Sequence, residues 1–168
     1  HLASAMFHLG VPAGPIPRAR LFADEPEVRP PYAVFHPVAS EPAKTWPKER
    51  FIETARWVRE RLGLEPVFIG GPSDDLSAFA EFGTFGGRPL SEVKRLLRGA
   101  SLFVGNDSGP AHMAAAFGLP LVVLFGNSDP VIWAPWQAQA EAITAGAALS
   151  ELPVEEVTRA IERLKVAA

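Results

Sequence analysis

Residues 102–126, LFVGNDSGPAHMAAAFGLPLVVLFG, constrain the fold more than any other part of the chain, because they pack strand, polar turn, helix and strand into one βαβ unit. Residues 102–104 form a short apolar run that residues 105–108 break. Pro110 stands where a first helical turn tolerates a missing N–H, residues 111–117 carry the helix, and Gly118 with Pro120 ends it. Residues 121–125 are uninterruptedly apolar, as a strand buried on both faces of a parallel sheet must be.

The polar turn decides what such a unit can do. It offers Asn106, Asp107, Ser108, the pliant backbone of Gly109, and His112 one turn into the helix. A helix N-terminus presents unpaired N–H groups and about half a positive charge, so it holds anions without a basic side chain. Gly109 admits a ligand closely, Ser108 can donate to a phosphate oxygen, and His112 is near enough along the helix to reach the same anion. Asp107 repels phosphate and is better suited to accept from sugar hydroxyls. Taken singly, each residue has a plainer reading: Asp107 or Ser108 as helix cap, Asn106 as a turn former, His112 as a satisfied histidine. Four polar groups where an apolar strand meets an apolar helix exceed what a cap requires, and the place is where open α/β sheets bind ligands.

The rest of the chain repeats the alternation. Strands are expected at residues 32–35, 66–69, near 84–85 and at 141–144. Helices are expected at 48–62, 76–82 and 91–98, the last with Ser91 as cap. Phe51, Ala55, Val58 and Leu62 share one face of the first of these, with Glu53, Arg56 and Glu60 turned away, and Val154, Val157, Ile161 and Leu164 mark a final amphipathic helix. The pattern predicts an α/β fold, a doubly wound parallel sheet with right-handed crossovers. Residues 1–31 differ: a helix-like end at HLASAMFHLG precedes a proline-rich stretch with little periodicity. They are expected to be the end of a preceding domain and an interdomain linker, with the domain proper at 32–168.

Composition narrows the function classes. The 168 residues are 48% hydrophobic and 21% charged with a net charge of −3, so the chain carries no electrostatic footprint for nucleic acid. With no cysteine there are no disulfides or thiolate metal sites. The histidines show no metal spacing, and G-x-G-x-x-G, Walker and G-x-S-x-G sequences are missing, which disfavours dinucleotide dehydrogenases, P-loop enzymes and serine hydrolases.

In the strand order 3-2-1-4-5-6, the first and fourth strands meet at the switch point and their loops face one crevice. The loop after the first strand, HPVASEPAKTWP, then brings Ser40, Lys44 and Trp46 towards Asn106 and His112. Lys44 is the cation the polar turn lacks, Ser40 adds a hydroxyl donor, and Trp46 with Pro47 packs at the helix start. The second strand ends in GGPSDD, where Asp74 or Asp75 can accept from ribose hydroxyls or occupy the first turn of the next helix.

HPVASEPAKTWPKERF, VFIGGPSDD, FVGNDSGPAHMAAAFGLPLVVLFG and NSDPVIWAPW occur in the order seen in the C-terminal half of the heptosyltransferases, glycosyltransferase family nine, which the chain resembles from Tyr32 onwards. The resemblance implies a Rossmann-like half of a GT-B arrangement that binds a nucleotide-sugar donor, ADP-heptose in this family. It implies Lys44 at the donor diphosphate, Asp74 or Asp75 at the ribose, Asp107 at the donor sugar, and Ser108, Gly109 and His112 around the pyrophosphate. It further implies inverting transfer without metal or cofactor to a lipid-linked lipopolysaccharide core acceptor, by a cytoplasmic enzyme at the inner face of the inner membrane. The catalytic base would come from the N-terminal domain of the same enzyme. A stand-alone nucleotide-binding module and a nucleotide-sugar epimerase or hydrolase are the alternatives.

Overall fold

The computed structural model describes residues 7–12, 14–26, 31–39, 41, 44–145, 148–164 and 166. Its centre is a six-stranded, wholly parallel sheet in the order β3-β2-β1-β4-β5-β6, formed by β1 (Tyr32–His36), β2 (Glu65–Gly70), β3 (Gly83–Gly86), β4 (Leu102–Asn106), β5 (Leu121–Phe125) and β6 (Ala140–Thr144). This is the expected doubly wound order, with the switch point between β1 and β4, where His36 is in register with Gly105. The inner strands are apolar on both faces because helices cover both. Phe35, Phe68, Val104, Val122 and Leu124 pack towards α1 (Lys48–Leu62) and α5 (Val154–Arg163). Val34, Ile69, Phe103, Val123 and Phe125 pack towards α2 (Leu90–Gly99) and α3 (Gly109–Phe117). Small residues Ala111, Ala114 and Ala115 form the buried face of α3, so its backbone approaches the sheet closely. Gly118, at φ +84°, ends that helix in the left-handed conformation a side chain would resist. A single short turn, α4 (Pro130–Trp133), follows β5 and is capped by Asp129, which accepts from the Val131 N–H at 2.8 Å. Among the described residues no helix is long and apolar enough to cross a membrane.

Three local expectations are corrected. Residues 76–82 form no α-helix, only a 3₁₀ turn at Ser77–Phe79 with successive i to i+3 bonds. Leu76, Phe79 and Phe82 recur every third residue, and both phenyl rings dock on Phe68, at 4.1 and 5.3 Å between centroids, which favours the tighter winding. Ser91 does not cap α2; Pro89 holds the extended N-cap position and Ser91 lies within the first turn. The strand β4 does not stop before Gly105 but runs to Asn106, whose side chain is fully buried and bonded at both ends.

The proline-rich stretch has neither helix nor strand over residues 14–26, yet it lies along the domain. Trp136 Nε1 donates to the Ile16 carbonyl at 3.1 Å, Arg95 pairs with Asp24 at 3.2 Å, and Arg98 bonds the Ala23 carbonyl and Glu25.

Candidate functional site

The crevice is built by the carboxyl ends of β1 and β4 and the loops that follow them. Asn106 ties those loops together: its Oδ1 accepts from the Trp46 N–H at 3.1 Å and its Nδ2 donates to the Pro37 carbonyl at 2.9 Å. A side-chain amide inserted between two loops replaces the backbone pairing that they lose beyond the sheet. Trp46 is wholly buried, donates from Nε1 to the Leu152 carbonyl at 2.9 Å and meets Phe51 edge-on, so it seats the start of α1 as the sequence suggests.

On this frame stands a cavity of about 360 Å³ lined by His36, Val38, Ala39, Asp74, Asp107, Ser108, Gly109 and Pro110. Four of the candidate residues, Asp74, Asp107, Ser108 and Gly109, therefore meet around one space. Asp107 keeps one carboxylate oxygen on the Ser128 hydroxyl at 2.7 Å. Asp74 folds back on its own loop, accepting from the Gly71 N–H at 2.6 Å. Ser108 occupies the N-cap position of α3 without capping it; its Oγ lies 3.0 Å from His36 Nδ1 and 3.0 Å from the Asn106 carbonyl. A methyl group added at Gly109 would meet nothing within 4 Å, so the helix start is open on that side.

The other candidates are placed apart. Asp75 accepts from the Ser77 N–H at 2.8 Å and so serves the 3₁₀ turn; the two bonds to Ser77 lower its carboxyl below the usual value. It lines a neighbouring cavity of about 550 Å³ with Trp46, Lys48 and Phe79. Lys44 sits in the expected loop, its Nζ 3.8 Å from Glu41, and lines neither cavity. His112 is exposed on α3 and lines neither; its neighbour Met113 lines a third cavity, of about 340 Å³, with Gly70, Gly71, Arg88 and Leu90. Ser40 lies outside the described residues.

Two residues of the crevice escaped the sequence reading. Arg88 lines the third cavity and lies over Phe85, 5.3 Å from the ring centroid. His36 forms a wall common to the first and third cavities and is 9% exposed. Burial pushes its imidazole down to about 4, with the negative charge of Asp74 opposing the fall, so it is neutral at pH 7. The signal was present: a histidine closes an otherwise apolar strand at the switch point.

A parallel sheet with this order and a polar crevice at its reversal defines a Rossmann-like α/β domain, a class in which ligands bind beyond the strand ends. Comparison carries the identification to a family: the model of "Glycosyltransferase family 9 (heptosyltransferase)" matches residues 17–161. "Lipopolysaccharide heptosyltransferase 3" of Escherichia coli K12 is 32% identical over 159 residues, which is 79% of this chain and 46% of that protein. "Lipopolysaccharide heptosyltransferase 1" of Salmonella typhimurium is 32% identical over 113 residues, 60% of this chain and 33% of that one. Among solved structures, the glycosyl transferase family 9 from Veillonella parvula superposes with a TM-score of 0.71 at 28% identity, covering 80% of this chain and 46% of its own. E. coli heptosyltransferase WaaC with ADP superposes at 0.75 with 25% identity, covering 84% and 46%. The chain belongs to glycosyltransferase family 9, the heptosyltransferases, and its fold is that of one half of the GT-B arrangement. It spans about half the length of the relatives it matches.

Proposed function

We propose that this chain is the donor-binding half of a heptosyltransferase and that its crevice holds an ADP-sugar, ADP-heptose in the first instance. The observation that carries this is the convergence of Asp74, Asp107, Ser108 and Gly109 on one cavity at the sheet's switch point. The solved WaaC relative is a complex with ADP. Two carboxylates and a neutral imidazole line the cavity, so an anion is excluded from most of it. The phosphates go to the start of α3, against Ser108 and the open side of Gly109, while Asp107 and Asp74 accept from sugar and ribose hydroxyls. Asp75 remains the second candidate for the ribose, and His112 and Ser40 are secondary contacts to the pyrophosphate. Lys44 must leave Glu41 to reach the diphosphate, and a contact of 3.8 Å in partly exposed surroundings costs little to break.

In the proposed reaction an acceptor hydroxyl oxygen forms a bond to the anomeric carbon from the face opposite the phosphate. The bond from that carbon to the β-phosphate oxygen breaks, and its electron pair leaves on ADP. The helix terminus and Lys44 offset the charge growing on the leaving phosphate, which is worth a few kcal/mol of barrier, on the order of 3. The acceptor's proton passes to a base in the other half of the enzyme, a preceding domain to which residues 1–31 form the end and the linker. The acceptor is a lipid-linked saccharide of the lipopolysaccharide core, met at the inner face of the inner membrane.

Calorimetric titration of the chain with ADP, UDP and GDP tests the reading. ADP should bind best, and Lys44→Ala should weaken it by about tenfold, the loss of one charge-assisted contact. Absence of binding to all three nucleotides defeats it.

A further inference from the structure

We infer that His36 is a positioning residue for the donor phosphate: its Nδ1–H donates to Ser108 Oγ, holding that hydroxyl off the helix end and on the anion. The inference deepens the donor-site reading and rests on it for the identity of the anion. A serine hydroxyl has one proton. Ser108 Oγ donates to the Asn106 carbonyl at 3.0 Å, an oxygen that can only accept, so the proton is committed there. The 3.0 Å contact with His36 must then run the other way, from Nδ1–H to Oγ. That fixes the imidazole in one neutral tautomer, with the lone pair on Nε2, and among the described residues Nε2 makes no hydrogen bond.

Two consequences follow for Ser108. Serine at an N-cap ordinarily turns its oxygen onto the first N–H groups of the helix. Here the N-cap backbone is extended, at φ −164° and ψ 167°, and the side chain makes no cap bond, because His36 and the Asn106 carbonyl hold it elsewhere. The helix terminus is left to a ligand. When a phosphate oxygen arrives, the Ser108 proton needs only to rotate from the Asn106 carbonyl to that oxygen, and Oγ stays anchored by Nδ1–H. The serine exchanges one acceptor for another without moving its heavy atom. His36 does not touch the phosphate in this scheme; it acts through Ser108.

The test uses the whole chain. Nitrogen-15 NMR of the free protein should show His36 protonated on Nδ1 and bare on Nε2 at pH 7; an Nε2–H tautomer overturns the inference. In ADP titrations, His36→Phe should weaken binding by about tenfold, the loss expected for one hydrogen bond to a group that contacts a charge. His36→Asn, whose amide N–H stands where Nδ1–H did, should recover most of that loss. In a Ser108→Ala background the His36→Phe change should cost no more than about twofold further, as residues acting in series are non-additive. A full tenfold cost in that background overturns the inference, because His36 then acts without Ser108. If the unaltered chain binds no ADP, the donor-site reading falls, and the tautomer alone decides whether the His36 to Ser108 bond exists.

Discussion

Acid should unfold this protein earlier than its exposed carboxylates alone would dictate, and His36 is the reason. In the unfolded chain its imidazole takes a proton near the ordinary value of 6.5, whereas in the folded protein burial defers protonation to about 4. Asp74 faces it across the cavity and keeps the fall from being larger, and Asp107 stands on the same lining. Between those two values the unfolded state binds more protons than the folded state, so stability rises with pH across the interval and is lost as pH falls through it. For a single group the linkage relation gives a loss, relative to neutral pH, of about 1 kcal/mol at pH 6, about 2 at pH 5 and about 3 at pH 4. That is a large part of the margin of a small domain. Urea unfolding followed by tryptophan fluorescence at each pH measures it, with buried Trp46 as one reporter. The comparison is His36→Asn, which keeps a donor at Nδ1 and removes the titration. Its stability should be nearly flat from pH 6.5 to 5; below that both proteins fall as carboxylates protonate, Asp75 among those whose value lies low, and the unaltered protein falls by about 1 kcal/mol more down to pH 4. Equal pH slopes in the two proteins over that window would refute the assignment of a suppressed proton to His36.

Two further substitutions separate ligand binding from folding. Gly109→Ala places a methyl group where nothing lies within 4 Å, so urea unfolding should shift by less than about 1 kcal/mol, while ADP binding should weaken by at least about tenfold because the methyl fills the open side of the helix start. Asn106→Ala leaves the Trp46 N–H and the Pro37 carbonyl without their partner, and should cost about 3 kcal/mol in the same unfolding measurement.

The fold was legible because its signals are local. Each inner strand is a short apolar run, α1 buries one face at helical spacing, and a proline and a glycine bracket α3, so element order and crossover rules lead to the sheet without tertiary information. The misses have a common cause in contacts between elements. Residues 76–82 carry enough apolar side chains for a helix, and only the presence of Phe68 beneath two phenyl rings shows that they wind every third residue instead. Asn106 reads as a turn former until the Pro37 and Trp46 backbones are seen on either side of it.

The site was legible in its position and less so in its members. Topology brings the loops after β1 and β4 together whatever their side chains do, so Asp107, Ser108 and Gly109 could be placed at the crevice from the sequence. Choosing between Asp74 and Asp75 depends on which carboxylate folds back onto the Gly71 amide and which takes Ser77, a choice that adjacent identical residues do not betray. His36 was overlooked for a related reason: searching for histidines at metal spacing passes over one that matters through a single serine hydroxyl.

The charges around the crevice give the diphosphate of the proposed donor only one place. With Asp74 and Asp107 on the lining, His36 neutral, and no cation among the described lining residues of that cavity, the potential inside favours hydroxyl donors and disfavours phosphate. The uncapped start of α3 is the exception, offering partial positive charge and N–H groups at one edge. A nucleotide sugar carries its diphosphate between ribose and transferred sugar, so phosphates shifted towards Asp107 would meet a charge only partly met by the Ser128 hydroxyl and would leave the helix terminus facing neutral hydroxyls. Ligand and site are mismatched in that pose and matched with the phosphates at the helix terminus, so acidic residues do not argue against a phosphate ligand. They determine where along the crevice the phosphates lie, with a hydroxyl-bearing ring on either side.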